Sequence, residues 1–445
     1  MTSFKSILFL LLAVVLAGCA KNLELQPAQS ISEGLALSSD GNVKTVLVGA
    51  YDGISNGDLY GGNTMRDADL LGGNGEVRWV GTFNGPRQIF NKQIEAGNGD
   101  AQERWLESYE AINIANNVLS ALDVVDADDR DRVEGEALFL RGLLYFDLVR
   151  FYGLPYEASG GNSQPGVPLV LEPTRSISAE TNVSRSSVED GYAQVLSDLE
   201  RAAILLPSDN GFFATSLSAK AILARVYLQM GRYADARDNA NDVIASGEFS
   251  LADTYAEAFM NEANSSEDIF AIQVSNQDGI NNLNLFYSIP EFGGRDGDIE
   301  ILDAHLDRYE EGDARKELFF ERAGSTLSGK FNNQFANVTV VRLAEMHLIR
   351  AEANERLGTE VGLAPAAEIS ALRMRSGLDA VDDVSLEDII EERYRELAFE
   401  GFFIHDIKRL QRDAGNFAYN APELVFPIPS REIVANPNLD QNPGY

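Results

Sequence analysis

Residues 219–244 read AKAILARVYLQMGRYADARDNANDVI, and this stretch decides the fold. Leu223, Ala224, Tyr227, Gly231, Tyr233 and Ala236 fall at the offsets of the tetratricopeptide helix–turn–helix pattern, with Ala240 and Val243 continuing the second helix. Small side chains at Ala224 and Ala236 let two helix backbones approach, Gly231 permits the turn, and the tyrosines fill the gap beside the small residues. One such unit cannot cover its own apolar face, so further helix pairs are expected elsewhere in the chain.

Helical spacing recurs on both sides of that pair. Upstream, Val43, Leu47, Ala50, Tyr51 and Ile54 form one stripe that Ser39 or Asp40 can cap. Trp105, Tyr109, Ile112, Asn116 and Leu119 form another, which assigns Trp105 to the core and leaves Asn116 to bond backbone. Val133–Tyr152 is apolar on most sides and reads as a buried helix, and Ser186 with Glu189 makes a capping box for the helix that Pro207 ends. Downstream, Val338–Leu357 is closed by Gly358, and Ser385 with Asp388 caps a helix running through Glu400. Between these lie loop-like regions: Ser55–Gly99, Gly153–Ser184 with an extended piece at Val167–Leu171, and Asn276–Asp298. Ile269–Ile272 reads as a buried strand, and the tail from Pro422 as an extended, proline-spaced run.

The amino terminus sets the address. Lys5 precedes an apolar run, Ile7–Leu16, too short to span a bilayer and the size of a secretory core, ending in Leu16-Ala17-Gly18-Cys19. A small residue before the chain's single cysteine is the bacterial lipobox pattern, so Cys19 is expected to carry the lipid and residues 1–18 to be removed. With one thiol committed as an anchor, no disulfide forms. The expected organisation is a signal peptide at 1–18, a lipidated tether at 19–38, and two regions, 39–250 and 251–445, interleaved into one unit.

Net charge is −33. The averaged field repels nucleic acid and polyanionic surfaces, which excludes both as partners. Few of the basic residues are lysine, and an acidic, lysine-poor surface is one that stays solvated at high salt.

Catalytic constellations are missing. His305, His347 and His405 lack metal-ligand spacing, and no Gly-x-Ser-x-Gly elbow exists. Gly324–Lys330 imitates a phosphate loop, but Phe331 stands where a magnesium-binding hydroxyl is needed, so a hairpin turn is the reading there. Asp126, Asp128 and Asp131 form a solvated helix entrance; Arg130 occupies a position that a calcium loop would need for a ligand. The acidic and basic residues of Glu391–Glu400 alternate around a helix and read as internal salt bridges. No cofactor, metal or catalytic residue is expected.

Several motifs in order resemble one family. They are Glu136–Arg141 leading to Phe151-Tyr152-Gly153, Leu223–Leu228, Arg342–Met346 with Ala351–Ala353, Glu392–Gly401 followed by His405–Arg409, and the closing Pro427-Ile428-Pro429, Asn436-Pro437 and Gln441–Tyr445. The chain resembles the SusD/RagB-type outer-membrane lipoproteins. The resemblance implies a mainly α scaffold of tetratricopeptide-like helix pairs, with a loop-rich, ligand-facing half containing short strands. It also implies a protein facing the cell exterior, partnered with a SusC-like TonB-dependent transporter, that captures oligosaccharides or, in some members, peptides.

The matched motifs are scaffold and leave the site to be found. Sugar rings need flat aromatic faces flanked by polar groups. Trp79 with Arg78, Phe83 and Arg87 has that composition, as do Phe286, Tyr287, Phe292 and Arg295, so at least one of these two loops is expected to contact ligand. The resulting expectation is non-catalytic capture of nutrient oligosaccharides. The alternatives are peptide capture, or an assembly lipoprotein that binds protein partners through its helical repeats.

Overall fold

Helices succeed one another along the chain, and many pack in pairs, in the computed structural model, which describes residues 33–445 apart from 74, 177 and 278. The signal segment, Cys19 and the tether as far as residue 32 lie outside the described residues. Helices α1 (Asp40–Ser55), α2 (Asn63–Gly72), α3 (Asn84–Asn91) and α4 (Gly99–Leu119) come first. They are followed by α5 (Ala127–Tyr152), α6 (Val188–Leu205), α7 (Ser216–Gln229), α8 (Tyr233–Ala245) and the short α9 (Asn282–Tyr287). The last third holds α10 (Leu343–Leu357), α11 (Pro365–Arg375), α12 (Leu386–Glu396), α13 (Phe403–Arg409) and α14 (Ser430–Ala435). The chain is mainly α, as its periodicity predicts.

The pair that opened the reading is α7 and α8. Leu223, Ala224, Tyr227, Ala236, Ala240 and Val243 are all buried, and Gly231 turns the chain at φ 72°, a conformation that costs an L side chain and not glycine. The expected further pairs exist: α1 packs on α4, α5 on α6, and α10 on α11, while α8 bridges to α10. Small residues set the close approaches, since a Cβ on Gly142 would stand 2.9 Å from Leu199 and one on Gly53 3.3 Å from Ala111. Buried side chains from α1 through the carboxyl-terminal tail join one apolar core.

Strands are few and short. Strand β2 (Asp268–Ile272) is the predicted buried strand and pairs antiparallel with β6 (Val338–Arg342). A second sheet runs β1-β3-β5-β4, from β1 (Val77–Trp79), β3 (Ile299–Ile301), β4 (Phe319–Arg322) and β5 (Ser325–Ser328). The phosphate-loop mimic is the turn and second strand of the β4–β5 hairpin, with Ala323 and Gly324 both at positive φ, the pairing that fits a tight two-residue turn. Lys330 beyond it is buried on Glu400, Ala398 and Tyr255, committed to the interior.

Several expectations need correction. The loop predicted over Ser55–Gly99 contains α2, β1 and α3. Helix α2 is buried on every side, Arg66, Asp67 and Asp69 included, so it shows no apolar stripe to betray it. The Asn276–Asp298 loop holds α9, capped by Asn281, whose side chain accepts from the Asn284 N–H at 2.7 Å. Val167–Leu171 joins no ladder; the Tyr109 and Tyr145 hydroxyls and the Asn116 amide bind its carbonyls, each at 2.8 Å. The capping box of α6 is Ser187 with Asp190, one residue beyond the predicted pair. The tail contains α14 and is anchored at Phe426, whose N–H donates to the Phe151 carbonyl at 2.7 Å.

Candidate functional site

Strand β1 brings the two aromatic loops together. Val77 faces Ile301 and Trp79 faces Ile299 in the antiparallel register, and the N–H groups of Val80 and Gly81 both reach the Asp298 carbonyl, at 2.9 and 3.3 Å. Trp79 then lies 5.9 Å from Phe286 between ring centroids, and Phe83 meets Phe286 edge-on at 6.1 Å. Residues from the two loops thus form one aromatic cluster.

Burial sorts the cluster into floor and face. Trp79 is 6% exposed and Phe286 is also buried, so these two rings present no face to solvent, whereas the fully buried Tyr287 packs instead on Phe331 and Phe399, at 5.2 and 5.6 Å between ring centroids. Phe83 and Phe292, 45% and 46% exposed, present theirs. The Arg295 guanidinium lies 4.2 Å from the Phe83 ring centroid, donates to Asp298 at 2.8 Å and to the Thr82 hydroxyl at 3.0 Å, and so clamps the ring from one side. Burial raises the Asp298 carboxyl above its usual range, with Arg295 working against that rise. Arg87 donates to the Gly81 carbonyl at 2.6 Å, bracing the loop between β1 and α3, and the largely exposed Arg78 pairs with Glu300. Space beneath the loop is tight: a Cβ on Gly81 would stand 2.6 Å from both Trp79 and Asp298.

The floor rests on charge. Arg66 sits 4.4 Å from the Phe286 centroid, and Arg66 and Arg104 divide the two oxygens of buried Asp67 between them, at 2.7 Å each. Beside them, burial pushes Asp69 up to about 8, with the Gly401 N–H and the Tyr287 hydroxyl as weak partners at 3.3 and 3.4 Å. Sequence reading missed Arg66, Thr82 and Asp298 because their part depends on the β1–β3 pairing. Arg66 stands next to its partner Asp67, which resembles any surface charge pair.

The histidines have structural posts. His305 lies between Glu76 at 3.0 Å and the Tyr309 hydroxyl at 3.1 Å, His347 contacts Glu368, and His405 is buried edge-on to Phe151 at 5.2 Å. The carboxylates of Glu391–Glu400 are held in ion pairs, but mostly by distant residues and not around one helix, since α12 ends at Glu396: Arg342, Arg375 and Arg315 converge on Glu396, while Arg395 binds Glu392 within the segment.

Residues 23–228 match the family described as starch-binding and associating with the outer membrane, and residues 319–423 match the SusD family. SusD-like protein P2 of Formosa agariphila is 25% identical over an alignment of 520 positions, covering 99% of each chain. The crystal structure of a putative sugar binding protein from Bacteroides vulgatus superimposes with a TM-score of 0.82 at 25% identity, covering 92% of this chain and 99% of that one. A laminarin binding SusD-like protein, also 25% identical, gives a TM-score of 0.78 over 92% of this chain and 100% of its own. No described helix is long and apolar enough to cross a membrane. With both matches in order along the chain and the fold shared over nine-tenths of its length, the protein belongs to the SusD/RagB family.

Proposed function

We propose that this protein captures neutral oligosaccharides at the cell surface without chemically changing them, and delivers them to a SusC-like TonB-dependent transporter. The observation that carries the reading is the exposed Phe83 face. It is backed by Phe286, clamped by Arg295, and carried on a loop braced by Arg87. An aromatic ring held so rigidly can stack on sugar C–H groups with little ordering cost, while its exposed chain neighbours Thr82 and Asn84 offer polar groups beside it. Phe292 supplies a second exposed ring on the loop that carries Arg295. Trp79 and Phe286 act as the support beneath. The histidines, phosphate-loop mimic and paired carboxylates are absorbed in the scaffold, which favours binding over turnover. Lipidation at Cys19 would hold the domain to the outer membrane facing outward. The names of the laminarin binding and sugar binding relatives support the ligand class.

The test is calorimetric titration of the soluble form lacking residues 1–19 with laminarin oligosaccharides and with a peptide pool, repeated with Phe83→Ala. Saturable sugar binding weakened by about 1–3 kcal/mol supports the reading. Binding only to peptides assigns the peptide-capturing alternative. No binding, with the transporter still co-purifying, assigns an assembly role.

A further inference from the structure

A second groove lies away from the Phe83 face, between strand β2 and the loop joining α6 to α7. It consists of two adjoining clefts of about 220 and 250 Å³, both lined by Phe212, Phe213, Phe270 and Ala271. One wall is a run of six consecutive residues, Asp268 to Gln273. Side chains on a strand alternate between faces, so a sheet face would contribute every second residue; an unbroken run is what a strand edge presents. Strand β2 pairs with β6 alone among the described strands, leaving that edge without a ladder. The Gln273 side-chain amide donates to the Ala271 carbonyl at 3.0 Å, doing locally what a neighbouring strand would do.

The opposite wall is built and rigid. Phe213 packs on Tyr51 with centroids 4.8 Å apart, the Ala214 N–H donates to the Tyr51 hydroxyl at 3.0 Å, and Asn210 and Asp209 close the loop on itself. Phe212 is nonetheless 63% exposed and Phe213 39%. Such a tip carries large apolar rings over a strand edge that has no ladder, at the bottom of a groove where the residues of β2 themselves are buried. The rim has one sign: Asp52, Asp209 and Glu248 are exposed, and among the described residues they form no ion pair and no lysine or arginine lines either cleft.

We propose that the unpaired edge of β2 receives an extended, basic and alternately apolar polypeptide segment as an added strand. Its apolar side chains rest on Phe212, Phe213 and Tyr51, and its basic side chains face Asp52, Asp209 and Glu248. The backbone ladder supplies affinity, and the aromatic loop and acidic rim supply selectivity. This site is separate from the Phe83 face and does not depend on the ligand assigned there.

The test uses a fluorescein-labelled Lys-Val-Lys-Phe-Lys-Val-Lys peptide and two isomers N-methylated on alternate residues, one for each strand edge, with fluorescence anisotropy on the soluble protein. Expected are saturable binding of the parent peptide and a loss of at least about tenfold for one isomer, whose side chains and charge are unchanged. A similar loss is expected in Phe212→Ser and in Asp52→Asn/Asp209→Asn/Glu248→Gln, each with an unchanged melting temperature, because these side chains are exposed. Three results overturn the proposal. They are binding that both isomers retain, which is attraction to the net negative charge alone; displacement of the peptide by laminarihexaose, which makes the groove a sugar site; and no binding of the parent peptide.

Discussion

Arg342 binds Glu396 twice, by side chain and by backbone: one guanidinium nitrogen donates to the carboxylate and another to the main-chain carbonyl, both at 2.7 Å. The same guanidinium also reaches Glu400 and Glu267, and all four residues are buried. It therefore ties the start of α10 to the end of α12 and to the segment preceding β2. Removing one partner strands a buried charge, a larger loss than the net worth of the pair. Arg342→Met is expected to destabilise the fold by about 3–5 kcal/mol in urea denaturation. Arg322→Met, whose acidic partners Glu291 and Asp296 are exposed, should change stability by no more than about 1 kcal/mol.

Acid should undo the same network. Burial acts to raise Glu396, but Arg375, Arg342 and Arg315 outweigh it and hold the carboxyl at about 2; burial likewise loses to Arg409 and Arg356 at Glu352, also at about 2. Both groups are depressed below their unfolded value of 4.5, so their stabilisation is fully present above pH 4.5 and is lost as pH falls towards 2. Each contributes on the order of 3 kcal/mol. Denaturation midpoints should drop through that window, and Glu352→Gln should flatten the drop.

Lys408 sits on the other side of the ledger. It is buried with a single 3.2 Å bond to the Arg150 carbonyl, and burial, with the Arg150 charge, lowers it to about 7. The folded state thus disfavours its protonated form, and this cost is greatest below pH 7 and disappears as pH rises to the unfolded value near 10.5. Lys408→Met should stabilise the protein by about 1–4 kcal/mol at pH 7 and by less at pH 9.5, as read by chemical denaturation.

Floor and face should separate by mutation. Phe83→Ala is expected to weaken sugar binding with a melting temperature within a few degrees of the parent. Trp79→Ala should cost about 3–5 kcal/mol of stability, because it empties buried volume under the loop. The Trp79 indole N–H is buried and finds no hydrogen-bond partner among the described residues, so Trp79→Phe should cost less than Trp79→Ala, losing area but no bond. Equal losses of stability in all three variants would overturn this division.

Salt offers an independent check on the surface. A net charge of −33 repels itself, and screening relieves that repulsion. The melting temperature is expected to rise between low and molar sodium chloride.

The scaffold was legible in the sequence because amphipathic helices repeat their apolar residues at a fixed spacing: Leu223 and Ala236 declare their partners within a few turns. Helix α2 was not, because Arg66, Asp67 and Asp69 point into the protein, where Arg66 and Asp67 pair with each other and with the distant Asp100 and Arg104, and burial pushes Asp69 up to about 8. The site was half legible. Its aromatics could be picked out by composition, yet whether each is floor or face depends on the β1–β3 ladder, which three-residue strands do not announce. Trp79 and Phe83 are four residues apart with similar neighbours, and only packing against Phe286 and Asp298 separates them.

The ladder that joins Val77 to Ile301 also fixes when the site can exist. A contact between residues so far apart in sequence closes a very long loop, and such contacts are slow to form and contribute nothing until most of the chain is available. The Phe83 face is therefore a late product of folding. A chain emerging amino terminus first carries much of its helical scaffold before it carries this aromatic face, so chains truncated before Ile301 hold the helices without the face.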